Sequence, residues 1–231
     1  MVDKPGRRKK KTLLPWKKLA AVAIAVVIVI AGGYYIYETY VYKAPPIYAQ
    51  FSTTDGSFEV ELFPACAPQT VANFVKLADS GFYNGLVWHR IVAGFIIQTG
   101  DNGTRGGLNS TRASWGFGGT AATIPLEWCG WLHNYEGYLA TAHTSTTTDS
   151  GSQFYINLSN SSSNLSLDGN YTVFGKVISG WNVVQSLAKS AICQPPACPS
   201  TWSADEPLPP VFVNSIVIQG TSAESTSTTS T

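Results

Sequence analysis

Residues 81–101, GFYNGLVWHRIVAGFIIQTGD, decide the fold. An apolar run over 86–92 presents His89-Arg90. A turn follows at Gly94, and a second run over 94–99 returns with Phe95, Ile96 and Gln98. On a pleated strand residues two apart share a face. Phe95 and Ile97 are therefore expected on one side, and Ile96 and Gln98 on the other. One arginine, one glutamine and several apolar side chains are gathered within a few residues.

Working upstream, 48–53 and 58–63 read as strands. In the second, Phe58, Val60 and Leu62 alternate with Glu59 and Glu61, the mark of a half-buried strand. Asp55-Gly56 between them is a hairpin turn signal. Pro68 then opens a helix with Val71, Phe74, Val75 and Ala78 as its apolar stripe, and Gly81 stops it. Downstream, apolar or alternating runs come at 137–142, 153–158, 171–178 and 211–219, and a second helix fits 181–189. Eight strands in hairpin succession and two helices predict a mainly-β fold: a closed eight-stranded antiparallel β-barrel capped by two helices. A barrel of that size is filled by its own side chains, so binding is expected on the outer face or in loops.

The chain has 231 residues and a net charge of +1, but the charges are unevenly placed. Residues 1–18 carry eight Lys/Arg against Asp3, and 44–231 carry six Lys/Arg against twelve Asp/Glu. An acidic main domain repels phosphate, which excludes nucleic acid as its partner. Residues 19–37, LAAVAIAVVIVIAGGYYIY, hold no charge. As a helix they rise roughly 28 Å, close to the hydrocarbon thickness of a bilayer. Tyr34, Tyr35, Tyr37, Tyr40 and Tyr42 gather on one side of this run and the basic residues on the other. That pattern predicts one transmembrane helix contacting the lipid bilayer through 19–37, with a cytoplasmic N-terminus and the rest outside. A cleaved signal peptide ending near Val29-Ile30-Ala31 is the competing reading. The expected domains are a basic segment 1–18, the span 19–37, a stalk 38–46, a globular domain 47–220 and a Ser/Thr-rich disordered tail 221–231.

Two further features agree with an outside location. Six N-x-S/T triplets begin at Asn102, Asn109, Asn157, Asn160, Asn164 and Asn170. Four cysteines, Cys66, Cys129, Cys193 and Cys198, permit three disulfide pairings. Cys193 with Cys198 would close a small loop and leave Cys66 with Cys129, but the sequence does not choose among the three. No Cys-x-x-Cys pair exists and the three histidines lie far apart, so neither a metal site nor a cofactor is expected.

Taken together, FYNG-x-x-x-HRI-x-x-GFIIQ-x-GD (82–101), GSQF-x-I (151–156) and LDG-x-x-x-VFGKV (167–177) resemble the cyclophilins, a family of peptidyl-prolyl cis-trans isomerases. The resemblance runs from about Ile47 to Gln219 and implies the same barrel. Carried over by position, it implies that Arg90 is the catalytic arginine and that Gln98 orients the arginine and substrate. Phe95, Ile96, Tyr155 and Leu167 would line a proline pocket, and Phe95 counts with the catalytic set. Ala142, His143 and Gln153 would follow the substrate backbone, and Tyr171 would edge the pocket. It implies proline-containing polypeptides as partners and a monomer. Departures are Ala93 for the usual Pro, Thr99 for Gly, and Ser166 for a pocket-edge aromatic associated with cyclosporin binding. His143 stands for Asn or Arg, and Tyr155 for Phe. The stretch 102–127 looks longer than usual.

The residue types suit such a reaction. An Xaa-Pro bond isomerises slowly because amide resonance must be broken, at about 18–20 kcal/mol. In the twisted state the proline nitrogen is pyramidal and its lone pair localised, so a fixed guanidinium donating to it favours that state over the planar ones. No nucleophile or metal is needed. A serine hydrolase built on TAHT (141–144) and DSGS (149–152) is rejected, because His143 and Ser150 are seven residues apart and lack a third member. The alternative kept open is a tethered module that binds proline segments without turnover.

Overall fold

A computed structural model describes residues 16–36, 46–107, 114–120, 123–143, 148–190, 192 and 205–220. The chain falls into two compact units, Met1–Ala44 and Pro45–Thr231. In the first, α1 (Trp16–Ile36) is a continuous helix, and its stretch Lys18–Tyr35 is long and apolar enough to cross a membrane. It begins three residues before the expected span. Nearly all of the basic segment, Tyr37, the rest of the stalk before Pro46 and the tail 221–231 lie outside the described residues, as do Cys193, Cys198 and Asn109.

The second unit starts with β1 (Ile47–Thr53) and β2 (Gly56–Leu62), an antiparallel hairpin in which Ala49 faces Val60 and Phe51 faces Phe58. The two phenyl rings stack at 4.6 Å. Gly56 takes a φ of +130°, a value few other residues tolerate. Helix α2 (Pro68–Asp79) buries Thr70, Val71, Phe74 and Ala78. It has no side-chain cap of its own. The carboxylate of Glu127, far along the chain, accepts from the N–H groups of Gln69 and Thr70 at 3.0 and 2.9 Å and so supplies both the cap and a charge suited to a helix N-terminus. A disulfide between Cys66 and Cys129 ties the same two segments together.

The remaining elements are β3 (Leu86–Val87), β4 (Arg90–Val92), β5 (Ile96–Thr99), β6 (Thr123–Pro125), β7 (Tyr138–Thr141), β8 (Thr148–Ser150), β9 (Phe154–Asn157), α3 (Ser162–Leu165), β10 (Val173–Ser179), α4 (Trp181–Ala188) and β11 (Phe212–Gln219). Nine strands form one curled antiparallel sheet in the order β3-β11-β1-β2-β10-β7-β9-β5-β4, and β6 pairs β8 separately. The expected closed eight-stranded barrel is thus a nine-stranded curled sheet whose ladder stays open between β3 and β4. These edge strands are two pieces of the single run read over 86–92, broken at Trp88-His89, where the chain leaves β11 and turns to β5. At the break the Val87 N–H donates to the Thr104 hydroxyl at 3.0 Å and its carbonyl accepts from the Thr99 hydroxyl at 2.9 Å. Side chains therefore satisfy groups that a closing ladder would use. Thr99 is fully buried.

The inner face is filled. Phe51, Phe58, Phe74, Tyr83, Trp88, Phe154 and Phe174 are all buried in one cluster with Ile97, Leu139 and Ile156. Phe74 from α2 meets Phe154 edge-on at 5.5 Å, and Phe154 meets Phe174 at 6.1 Å, the arrangement aromatic quadrupoles favour. Any ligand of ordinary size is left the outer face.

Candidate active site

A second, separate apolar cluster lies on that outer face. Ile96, Leu132, Ala140, Ala142, Tyr155 and Val173 form its buried part, and Phe95, Tyr138, Leu167 and Tyr171 pack against it. Strand alternation explains the sorting. Along β9, Phe154 and Ile156 join the inner core while Tyr155 joins the outer cluster, and along β5 Ile97 goes in while Ile96 goes out. Phe95 departs from the expectation that it shares a face with Ile97. It precedes β5, in the turn at Gly94 (φ +70°), and is free of the alternation.

The register aligns the rest. Arg90 stands opposite Gln98, Gln98 opposite Tyr155, Tyr155 opposite Ala140, and Ala140 opposite Val173. One row across five strands therefore runs from a guanidinium, through an amide, to an apolar floor. The Arg90 side chain is 40% exposed, and its one side-chain partner among the described residues is Asp205, whose Oδ2 accepts from Nε at 3.3 Å. Gln98 makes no hydrogen bond to Arg90. Its amide donates to Gln153 Oε1 at 2.9 Å, and the Gln153 amide donates to the carbonyls of Gly116 and Gly118 at 3.0 and 2.6 Å. Asp101, fully buried, holds the same loop from the other side by accepting from the N–H groups of Gly116 and Gly118.

The apolar cluster is also pinned. The Tyr155 hydroxyl donates to Asn134 Oδ1 at 2.8 Å, and the N–H and amide of Asn134 both donate to Asp168 Oδ1. Asn157 donates to Asn134, and Asn164 donates to Asn157 and to the carbonyl of Phe95. Burial works to raise the Asp168 carboxyl, but the Asn134 donors and His133 outweigh it and hold it below its ordinary range. At the edge, His143 stacks on Tyr171 at 4.3 Å, and Tyr171 meets Tyr155 edge-on at 5.8 Å. His143 is fixed through Nε2 to the carbonyl of Asn170 at 2.8 Å. Ser166 is exposed.

His89, beside the arginine, is buried. Burial pushes its imidazole down from 6.5 to about 4, with Asp101 partly opposing, so it is neutral at pH 7. It belongs to the support, not to the exposed face.

The structure thus brings Arg90, Phe95, Ile96, Gln98, Ala142, His143, Gln153, Tyr155, Leu167 and Tyr171 to one outer face with its loops. Sequence reading missed Asp101, Asn134, Asn157, Asn164, Asp168 and Asp205. Asn157 and Asn164 did carry a signal, but it was read as glycosylation; both side chains are fully buried and hydrogen-bonded, so neither amide is open to a sugar. Among the described residues no group of three or more His, Cys, Asp or Glu is arranged to hold a metal.

Comparison with known proteins agrees with this geometry. The model of the cyclophilin type peptidyl-prolyl cis-trans isomerase/CLD family matches residues 48–217. The chain is 41% identical over 145 residues to peptidyl-prolyl cis-trans isomerase B of Bacillus subtilis, covering 62% of this chain and 91% of that protein. It is 38% identical over 139 residues to the human peptidyl-prolyl cis-trans isomerase-like 3, covering 59% and 79%. Among solved structures, a Cryptosporidium parvum cyclophilin type peptidyl-prolyl cis-trans isomerase superposes with a TM-score of 0.61 at 26% identity, over 75% of this chain and 98% of that one.

Proposed function

Because the chain belongs to the cyclophilin family and is a peptidyl-prolyl cis-trans isomerase, we propose that the reaction takes place on the outer-face row, with Arg90 as its principal catalytic residue. The observation that carries this reading is a half-exposed guanidinium, held through Nε alone among the described residues, on the register row that leads through Gln98 to the Tyr155 floor. The proline ring sits on Ile96, Phe95, Leu167 and Tyr155. The outer Arg90 nitrogens donate to the proline nitrogen as its lone pair localises, an interaction absent from the planar amide. Speeding the step by about five decades requires roughly 7 kcal/mol. One charge-assisted bond supplies about a third; gripping the ring while the preceding carbonyl rotates supplies the rest. All these residues lie on one chain, so a monomer suffices.

We further propose that the enzyme is a single-pass membrane protein with a cytoplasmic N-terminus, assisting the folding of proteins outside the cytoplasm. The helix Trp16–Ile36 supports this, as do the basic residues before it and a main domain with excess acid. A disulfide between Cys66 and Cys129 suits an oxidising compartment.

The test follows cis–trans exchange of a short Xaa-Pro peptide by NMR with the full chain in mild detergent. Wild type should accelerate exchange and Arg90→Ala should lose about a hundredfold or more. Peptide binding without acceleration by wild type would favour the non-catalytic module. Protease added to intact cells should digest the domain beyond Ala44; full protection would overturn the orientation.

A further inference from the structure

We propose that Asp205 is a positioning residue for Arg90, fixing the inner nitrogen of the guanidinium so that both outer nitrogens are presented to the proline. This rests on the reading of Arg90 given above.

Asp205 is 115 positions from Arg90 in sequence and is brought to it by two attachments. Its carbonyl accepts from the N–H of Ile91, the residue after the arginine, at 2.8 Å, and its carboxylate accepts from Arg90 Nε at 3.3 Å. The segment stays alongside: Trp88 N–H donates to the Val211 carbonyl at 2.9 Å, Pro207 bridges Ile192, and Glu206 is buried. Asp205 is thus held by the backbone at the edge of β4 before its side chain reaches across.

The arginine needs such a hold. Its side chain has many rotamers and is 40% exposed, and catalysis by orientation fails when a donor wanders. The residue across the ladder, Gln98, makes no hydrogen bond to the arginine; its NH2 group donates to Gln153 Oε1 instead. A carboxylate on Nε leaves the four N–H bonds of the two Nη groups unengaged among the described residues. The pair holds the guanidinium without occupying the atoms that meet the substrate. The orienting role that the family resemblance assigns to Gln98 falls here to Asp205.

The experiment compares Asp205→Ala, Asp205→Asn and Asp205→Glu with wild type, and Asp205→Ala in the Arg90→Ala background, by the exchange assay on the full chain. Asp205→Ala should lower kcat/KM about tenfold, chiefly through kcat, with KM changed less than about twofold. Asp205→Glu should recover most of the loss. In the Arg90→Ala background the same change should cost nothing further, because the role runs through the arginine. Asp205→Asn keeps the backbone bond and an oxygen that can accept from Nε but loses the charge, so a smaller loss of about threefold is expected. Should the alanine variant unfold in a thermal melt, Asp205→Ser, too short to reach Nε, carries the tenfold expectation. Wild-type activity in the folded Asp205→Ala or Asp205→Ser variant overturns the proposal, as does an equal loss with and without Arg90. Full activity of Arg90→Ala sinks the arginine reading itself, and Asp205 with it, which is distinct from failure at Asp205 alone.

Discussion

Gln98 stands directly across the β4–β5 ladder from Arg90, yet its amide donates to Gln153 at 2.9 Å. The glutamine therefore works as the first link of a chain leading away from the arginine: Gln98 to Gln153, Gln153 to the carbonyls of Gly116 and Gly118, and Asp101 to the N–H groups of the same loop. The loop is clamped from both sides beside the proposed substrate groove.

Gln153→Ala should break this clamp at its middle. Gln153 is 6% exposed, and its removal takes the donor from the half-buried carbonyls of Gly116 and Gly118 and the acceptor from the Gln98 amide, at about 1 kcal/mol of stability. KM for a peptide should rise severalfold while kcat falls less, because Arg90 keeps its own partner. Urea unfolding and the exchange assay measure the two effects. An unchanged KM with a large fall in kcat would mean that Gln153 acts on the chemistry and not on the groove.

Tyr155→Phe separates the floor of the pocket from its anchorage. The ring packs in the apolar cluster and the hydroxyl donates to Asn134. Losing the hydroxyl should cost about 1 kcal/mol, since Asn134 Oδ1 still accepts from Asn157. Exchange activity should stay within about threefold of wild type. A much larger loss would show that the hydroxyl does more than hold the ring.

How far the sequence reveals all this depends on periodicity. The strands over 48–53, 58–63, 94–99, 153–158 and 171–178 have neighbours two residues apart on a common face, and each appears near the expected place. The three-residue strands β6 and β8 are too short to carry a period. The break at Trp88-His89 depends on hydroxyls of Thr99 and Thr104, 12 and 17 positions from Val87, which no local pattern reveals. At the site, Arg90, Gln98 and Phe95 sit inside one motif and are legible by resemblance. Asp205 lies in a proline-rich segment without period, and Asn157 and Asn164 resemble sugar acceptors until their burial is seen.

His89 makes stability fall in acid. Its imidazole is buried, and burial, partly opposed by Asp101, sets it at about 4 against 6.5 when exposed. Above pH 6.5 it is neutral folded and unfolded and contributes nothing to pH dependence. Between 6.5 and 4 the unfolded chain binds a proton that the folded chain refuses, so stability declines as pH falls, by about 3 kcal/mol in all. Urea titrations at pH 7, 5.5 and 4 should show the decline, and His89→Gln should flatten it. An equal slope in the variant would assign the acid lability to other groups.

The disulfide joins the start of α2 to the loop that carries Glu127, Leu132 and Asn134, and both sulfur-bearing residues pack against the outer cluster. Its 63-residue separation makes the loop-closure effect on the unfolded chain large. Cys66→Ala with Cys129→Ala should therefore cost about 2–4 kcal/mol of stability. The Glu127 cap and the Asn134 contacts to Asp168 still hold the loop in the folded state, so activity at 25 °C should remain within about threefold. Reductant added to wild type should lower its urea midpoint toward that of the double variant, and should move the variant, which keeps Cys193 and Cys198, less. If the double variant instead loses most turnover while still folded, the cross-link itself shapes the proline pocket, and the capping carboxylate is not enough to hold it.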